Sequence, residues 1–168
     1  MKKLNRKGFT LVELLAVIII LAIVVGITIP AITNIINDSK NNALGVAVDA
    51  ASDYLTDQYG YMNIDRNTAT SDFITAFGAG QSTATYGYPT PEGGTNPNTI
   101  SEDLLEEMGF DKDNVVKVKA ELDGTKICVT VEEVQKTSEY YSTDYWTATA
   151  GNNATKKTDA TTKNSNCE

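Results

Sequence analysis

Apolar and polar positions along the chain fall into three regimes. From Phe9 to Ile29 nearly every position is apolar, and the single formal charge is the carboxylate of Glu13. As a helix rising about 1.5 Å per residue, such a run spans about 30 Å, the hydrocarbon thickness of a bilayer. From Ile32 to Leu55 the pattern changes. Apolar residues such as Ile32, Ile35, Ile36, Ala43, Val46, Ala47, Ala50 and Tyr54 recur mostly at spacings of three and four, with Asp38, Asn42, Asp49, Asp53 and Asp57 largely between them. This is the stripe of an amphipathic helix ending near Gly60. A helix from about residue 9 to residue 59 would be about 75 Å long, so its first half is expected to protrude from any compact domain of this size.

The third regime has period two. Val116, Val118 and Ala120 alternate with polar residues, as do Ile127, Val129 and Val131, with Asp123-Gly124 between the two runs. That predicts a hairpin with one buried face, and residues 144–150 predict a further strand. The amphipathic stripe of the helix is the long apolar surface expected to cover this sheet. Between helix and hairpin, residues 61–113 read as a connecting region. Ser71 to Phe77 make a short helix, and residues 78–98, which hold three of the four prolines, make an exposed loop. Thr99 and Glu102 predict a capping box for a second short helix over 99–108, stopped by Gly109. The predicted class is α+β: a long, partly protruding N-terminal helix packed on an antiparallel sheet of three to four strands.

Composition narrows the function. The 168 residues fit one domain plus an appendage. The net charge is −8, and four cations, Lys2, Lys3, Arg6 and Lys7, precede the apolar run, so the rest is more acidic still. Such a body repels phosphate backbones, and no specific nucleic acid is expected as a partner. The chain contains no His, which removes the commonest general base and metal ligand; no catalytic residues, metal site or cofactor are expected. Cys128 and Cys167 allow one bridge or two free thiols. Three weaker patterns have bland readings. Residues 111–114, DKDN, read as a solvated turn, lacking the later ligands of a calcium loop. Asn153-Ala-Thr155 matches a glycosylation acceptor that is common by chance. Tyr140, Tyr141, Tyr145 and Trp146 read as sheet-packing aromatics before an adhesive patch.

The cationic flank before the apolar run places residues 1–7 in the cytoplasm and the remainder across the membrane. A secretory signal would have a shorter apolar stretch followed by small residues at the cleavage site. Here the small residue, Gly8, precedes the stretch, so cleavage there leaves the hydrophobic helix on the product. One reading of Glu13 is an anchor whose carboxylate snorkels to the interface.

Residues 7–15, Lys-Gly-Phe-Thr-Leu-Val-Glu-Leu-Leu, resemble the processing motif of type IV prepilins, and the resemblance covers residues 1 to about 30. It implies removal of the leader, residues 1–8, by a prepilin peptidase that cuts between Gly8 and Phe9 and methylates Phe9. Methylation keeps the charge of the new amine. Because no Lys or Arg lies between Phe9 and Ser39, that amine is the cation processing supplies for Glu13. The resemblance implies that the Glu13 to Phe9 pair forms between neighbouring subunits as helices bundle, with Glu13 setting register. Gly26 and Pro30 mark an expected kink or point of unwinding, the alternative being that Pro30 opens a second helix.

The implied organisation is a polymerisation helix over 9–30, a sheet-packing helix over 31–60, a connection over 61–113, a sheet over 114–150 and a polar tail over 151–168. The resemblance also implies a disulfide bracketing the C-terminal region, Cys128 with Cys167. It further implies a homo-oligomeric helical filament, served by an assembly platform and motor proteins, and a single-pass precursor in the cytoplasmic membrane that becomes an extracellular pilus on a bacterial surface. The expected function is a major pilin in adhesion, twitching motility, aggregation or biofilm formation. Alternatives are a minor pilin, a pseudopilin of type II secretion or DNA uptake, or a membrane-anchored binding protein that never polymerises.

Overall fold

The computed structural model describes residues 10–78, 80–87, 98–142, 146–151 and 155–156. The chain divides into two compact units, residues 1–36 and 37–168, and one helix, α1 (Leu11–Ile64), contributes to both. In the first unit the described side chains are exposed, including every large aliphatic from Leu11 to Ile36.

In the second unit α1 packs on an antiparallel sheet. The order of strands is β1 (Thr83–Tyr86), β2 (Val115–Asp123), β3 (Lys126–Val134) and β4 (Trp146–Thr149), with the two-residue β5 (Thr155–Lys156) added at the edge. Two short helices, α2 (Ser71–Phe77) and α3 (Glu102–Glu107), lie in the connection. The face of α1 that enters the core is Leu44, Val48, Ala51, Leu55 and Gln58, at alternating steps of four and three. The expected stripe is turned by about one position. Leu55 is in the core, and Ala47 and Tyr54 pack against it, but Val46 is 69% exposed and Ala43 and Ala50 face solvent. Alanine and valine at 43, 46, 47 and 50 give the two faces similar hydrophobicity, so periodicity alone does not separate them.

The hairpin forms with Leu122 opposite Ile127, Ala120 opposite Val129 and Val118 opposite Val131. Its two loop residues are Gly124 and Thr125, one position later than expected, because Asp123 still pairs with Lys126. Gly124 then occupies the first central position of the turn, where primed turns need positive φ, and its φ is 62°. An irregularity between Val115 and Val118 shifts the register, so Val115 is buried in place of the expected Val116.

Strand β1 lies in the stretch whose glycines, prolines and threonines predict loop, but Thr83, Thr85 and Tyr86 suit a pleated surface and Ala84 is fully buried. Its outer edge is partly covered by residues 98–100: Thr85 N donates to Asn98 O and Ile100 N to Thr85 O, both at 2.9 Å. This bridge occupies Thr99, so the N-cap of α3 is Ser101 and not Thr99; Ser101 Oγ accepts from Leu104 N at 3.0 Å. Gly109, with φ 88°, follows that helix as expected. The DKDN segment is a turn in which Asp111 Oδ1 accepts from Asp113 N at 2.8 Å.

Helix α1 also completes the sheet's hydrogen bonding. Leu122 N donates toward β1, to Ser82 O at 2.7 Å, so the peptide groups of its partner Ile127 point to the opposite side. Strand β4 does not reach that far. Ala150 N still donates to Val129 O at 3.0 Å, and the next amide, Gly151 N, donates to Asp49 Oδ1 on the helix at 2.6 Å. Hydroxyls of α1 take over at Ile127: its N–H donates to Thr56 Oγ1 at 2.9 Å, and its carbonyl accepts from Ser52 Oγ. One helical turn separates Ser52 from Thr56, which matches one peptide's donor and acceptor.

A second polar junction ties α1 to the short helices. Tyr54 OH and Thr70 Oγ1 both donate to Glu107 Oε2, at 2.7 and 3.1 Å, and Thr70 N donates to Gln58 Oε1 at 3.0 Å. Desolvation, reinforced by the Glu107 carboxylate, pushes the Tyr54 phenol up to about 12.

Two measurements test these contacts on the full chain in detergent. Thr56→Val keeps the shape but strands the Ile127 N–H, and is expected to lower unfolding free energy by about 1–3 kcal/mol in a denaturant titration. Because the folded phenol titrates above its unfolded value of 10.0, its contribution is complete below pH 10 and is lost as pH rises toward 12. Tyr54→Phe should therefore flatten the loss of stability in that window; an unchanged alkaline profile would show that Tyr54 does not supply it.

Candidate functional site

The residues singled out by the sequence cluster at the start of α1. Gly8 and Phe9 lie outside the described residues. Thr10 is the residue before the helix, and Glu13 falls in its first turn. Thr10 N and Thr10 Oγ1 donate to Glu13 Oε2 at 2.8 and 2.9 Å, and Glu13 N donates back to Thr10 Oγ1 at 3.3 Å. This is a reciprocal capping box, in which a threonine and a glutamate three residues later satisfy each other's free amides at a helix start. Thr10 is not among the residues the sequence reading selects, although its signal is present as T-x-x-E immediately before an apolar run. The same pattern at residue 99 points to a cap that does not form there.

After that first turn the helix has the length and composition to cross a membrane, and the share of its most apolar window buried within the chain is 0%. Its side chains have no core of their own to enter. Pro30 lies inside α1, which is continuous to Ile64, so the alternative in which it opens a separate helix does not hold. Lacking an N–H, Pro30 leaves the Gly26 carbonyl without its usual donor. Two threonines return hydroxyl bonds to nearby carbonyls: Thr28 Oγ1 donates to Val24 O at 3.0 Å and Val25 O at 3.2 Å, and Thr33 Oγ1 to Ile29 O at 3.0 Å. Such back-bonding bends helices and competes with the ladder. Space around Gly26 is open: apart from its own chain neighbours and the local helix backbone, no atom lies within 4 Å of where a Cβ would stand.

The remaining residues of interest are far along the chain. Cys128 sits in β3 and is 7% exposed although its neighbours Ile127 and Val129 occupy the opposite face. It is not a free thiol. Cys167 lies outside the described residues, as do Tyr145 and the Asn153 and Ala154 of the glycosylation pattern. Tyr140 and Tyr141 are partly buried and pack against the core, and burial raises the Tyr140 phenol above its usual range. Lys40 Nζ donates to Tyr141 O at 2.8 Å and fixes that segment to α1.

A capped, exposed apolar helix of membrane-crossing length that continues into an α+β fold fits a membrane-anchored protein. The model of a known family agrees with that class. The prokaryotic N-terminal methylation motif matches residues 3–29, and the chain therefore carries the motif characteristic of type IV prepilins. No curated protein and no solved structure matches the chain.

Proposed function

We propose that this chain is the precursor of a type IV pilus subunit, the major pilin, which polymerises through its N-terminal helix into a surface filament. The observation that supports the reading most is the coincidence of the methylation motif at residues 3–29 with an exposed apolar helix bearing one carboxylate in its first turn. A prepilin peptidase would cut between Gly8 and Phe9 and methylate Phe9. The new amine is a cation placed where the apolar run otherwise has none. An unpaired charge in hydrocarbon costs several kcal/mol, whereas a pair is tolerated at the axial offset where partners meet. Glu13 of one subunit with the amine of a neighbour thus fixes the register of a helical homo-oligomer, much as one polar core residue fixes a coiled coil.

Gly26 and Pro30 give that helix a place to bend or unwind as subunits pack. The precursor sits in the cytoplasmic membrane with its N-terminus inside, and an assembly platform and motors move it to an extracellular filament. Adhesion, twitching motility, aggregation and biofilm formation are the roles such a filament serves. The subunit itself performs no catalysis. A bridge between Cys128 and Cys167 closes a loop of about 40 residues and stabilises by about 4 kcal/mol in the chain-entropy model.

Surface filaments composed mainly of a chain that begins at methylated Phe9, identified by electron microscopy and N-terminal mass, are the expected result. The same chain present only in trace amounts would assign it instead to a minor pilin or a pseudopilin, and an intact leader would sink the reading. Glu13→Ala is expected to lower filament yield about tenfold or more while leaving membrane insertion unchanged. For the bridge, native protein should take up no thiol reagent until reduced, with a mass gain for two thiols afterwards; two reactive thiols before reduction would rule it out.

A further inference from the structure

The geometry points to Thr10 as a positioning residue for assembly: its capping box holds one oxygen of the Glu13 carboxylate and leaves the other for the amine of a second copy. The inference rests on the reading of Glu13 given above. Both Thr10 donors converge on Oε2, at 2.8 and 2.9 Å. Among the described residues no donor is bound to Oε1. Among the described residues the carboxylate is thus bonded through one of its two oxygens.

Two physical consequences follow for an apolar setting. A glutamate side chain loses rotamer freedom when it is fixed, and here that ordering precedes the encounter with a neighbour, so less is lost when the intersubunit pair forms. In the unassembled subunit the box also supplies hydrogen bonds to a carboxylate that has no Lys or Arg within the run. The hydroxyl is the active part. Both Thr10 and Glu13 are exposed, and among the described residues no packing against other elements fixes either side chain. Valine has the shape of threonine but neither donates nor accepts; serine retains both functions.

The test uses the full chain in cells that assemble it, with filament yield measured per membrane subunit that begins at Phe9. Thr10→Val is expected to lower that ratio about fivefold, the size of a typical N-cap loss, and Thr10→Ser to stay within about twofold of the parent. On a Glu13→Gln background, Thr10→Val should cause no further loss, because the oriented carboxylate is already gone. Normal yield from Thr10→Val, or a full additional loss on the Glu13→Gln background, overturns the proposal. Normal yield from Glu13→Ala would instead overturn the reading of Glu13 itself, and this proposal with it. Thr10 is close to the bond to be cut, so a second measurement avoids cleavage altogether. In the purified uncut chain in lipid bicelles, hydrogen exchange of the Thr10 amide should quicken about tenfold in Glu13→Ala. Equal exchange rates would show that no box forms there.

Discussion

A carboxylate at the head of a hydrocarbon-length helix has to be hydrogen-bonded or paired, because leaving it bare in an apolar phase costs several kcal/mol. Glu13 meets that requirement locally, through Thr10. The arrangement also repairs the helix itself, since the first amides of any helix lack partners inside it. One pair of side chains therefore serves both the backbone and the charge. What it does not supply is a countercharge, and the apolar run holds no Lys or Arg that could. The matched methylation motif, residues 3–29, covers this same stretch together with the cations that precede it.

Much of the architecture is legible in the residues. The short helix at Ser71–Phe77, the hairpin and the strand near residue 146 follow from periodicity and turn residues, and long periodic segments report their type reliably. Errors arise where two explanations fit one pattern. The 43–50 stretch of α1 is alanine-rich on two sides, so the side that enters the core is decided by Leu44, Val48 and Ala51, which a count of apolar positions does not favour. Asp123-Gly124 is the usual spelling of a two-residue turn, yet the Leu122 to Ile127 pairing places Asp123 in the strand. Strand β1 is hidden because its neighbours are loop residues and its identity depends on β2 beside it. At the site itself, Glu13 is evident as a charge in an apolar run, whereas Thr10 is overlooked when the motif is taken for processing and not for capping. The hydroxyls of Ser52 and Thr56 give no sequence signal: their roles exist only because β4 ends short of Ile127.

The same helix changes its chemistry along its length, and the change explains how one unbroken element can serve two environments. Its backbone bonds are internal, so a helix is equally acceptable to lipid and to a protein core. Side chains decide the rest. Up to Ile36 the described residues are mostly aliphatic, and all are exposed, with the Thr28 and Thr33 hydroxyls folded back onto their own helix. From Lys40 onward polar side chains reach outward to fixed partners: Tyr141 O, Gly151 N, the Ile127 peptide groups, Glu107 and Thr70 N. These contacts flank the core face of Leu44, Val48, Ala51 and Leu55. The result is a docking surface in which burial supplies most of the free energy and the polar contacts set the position. Sliding the helix by one turn would still bring apolar residues against the sheet, because the stripe repeats with the turn. It would, however, strand the donor and acceptor of Ile127 together, and unsatisfied buried groups cost more than made ones return. The sheet thereby fixes the axial setting of residues 37–64 by hydrogen bonds.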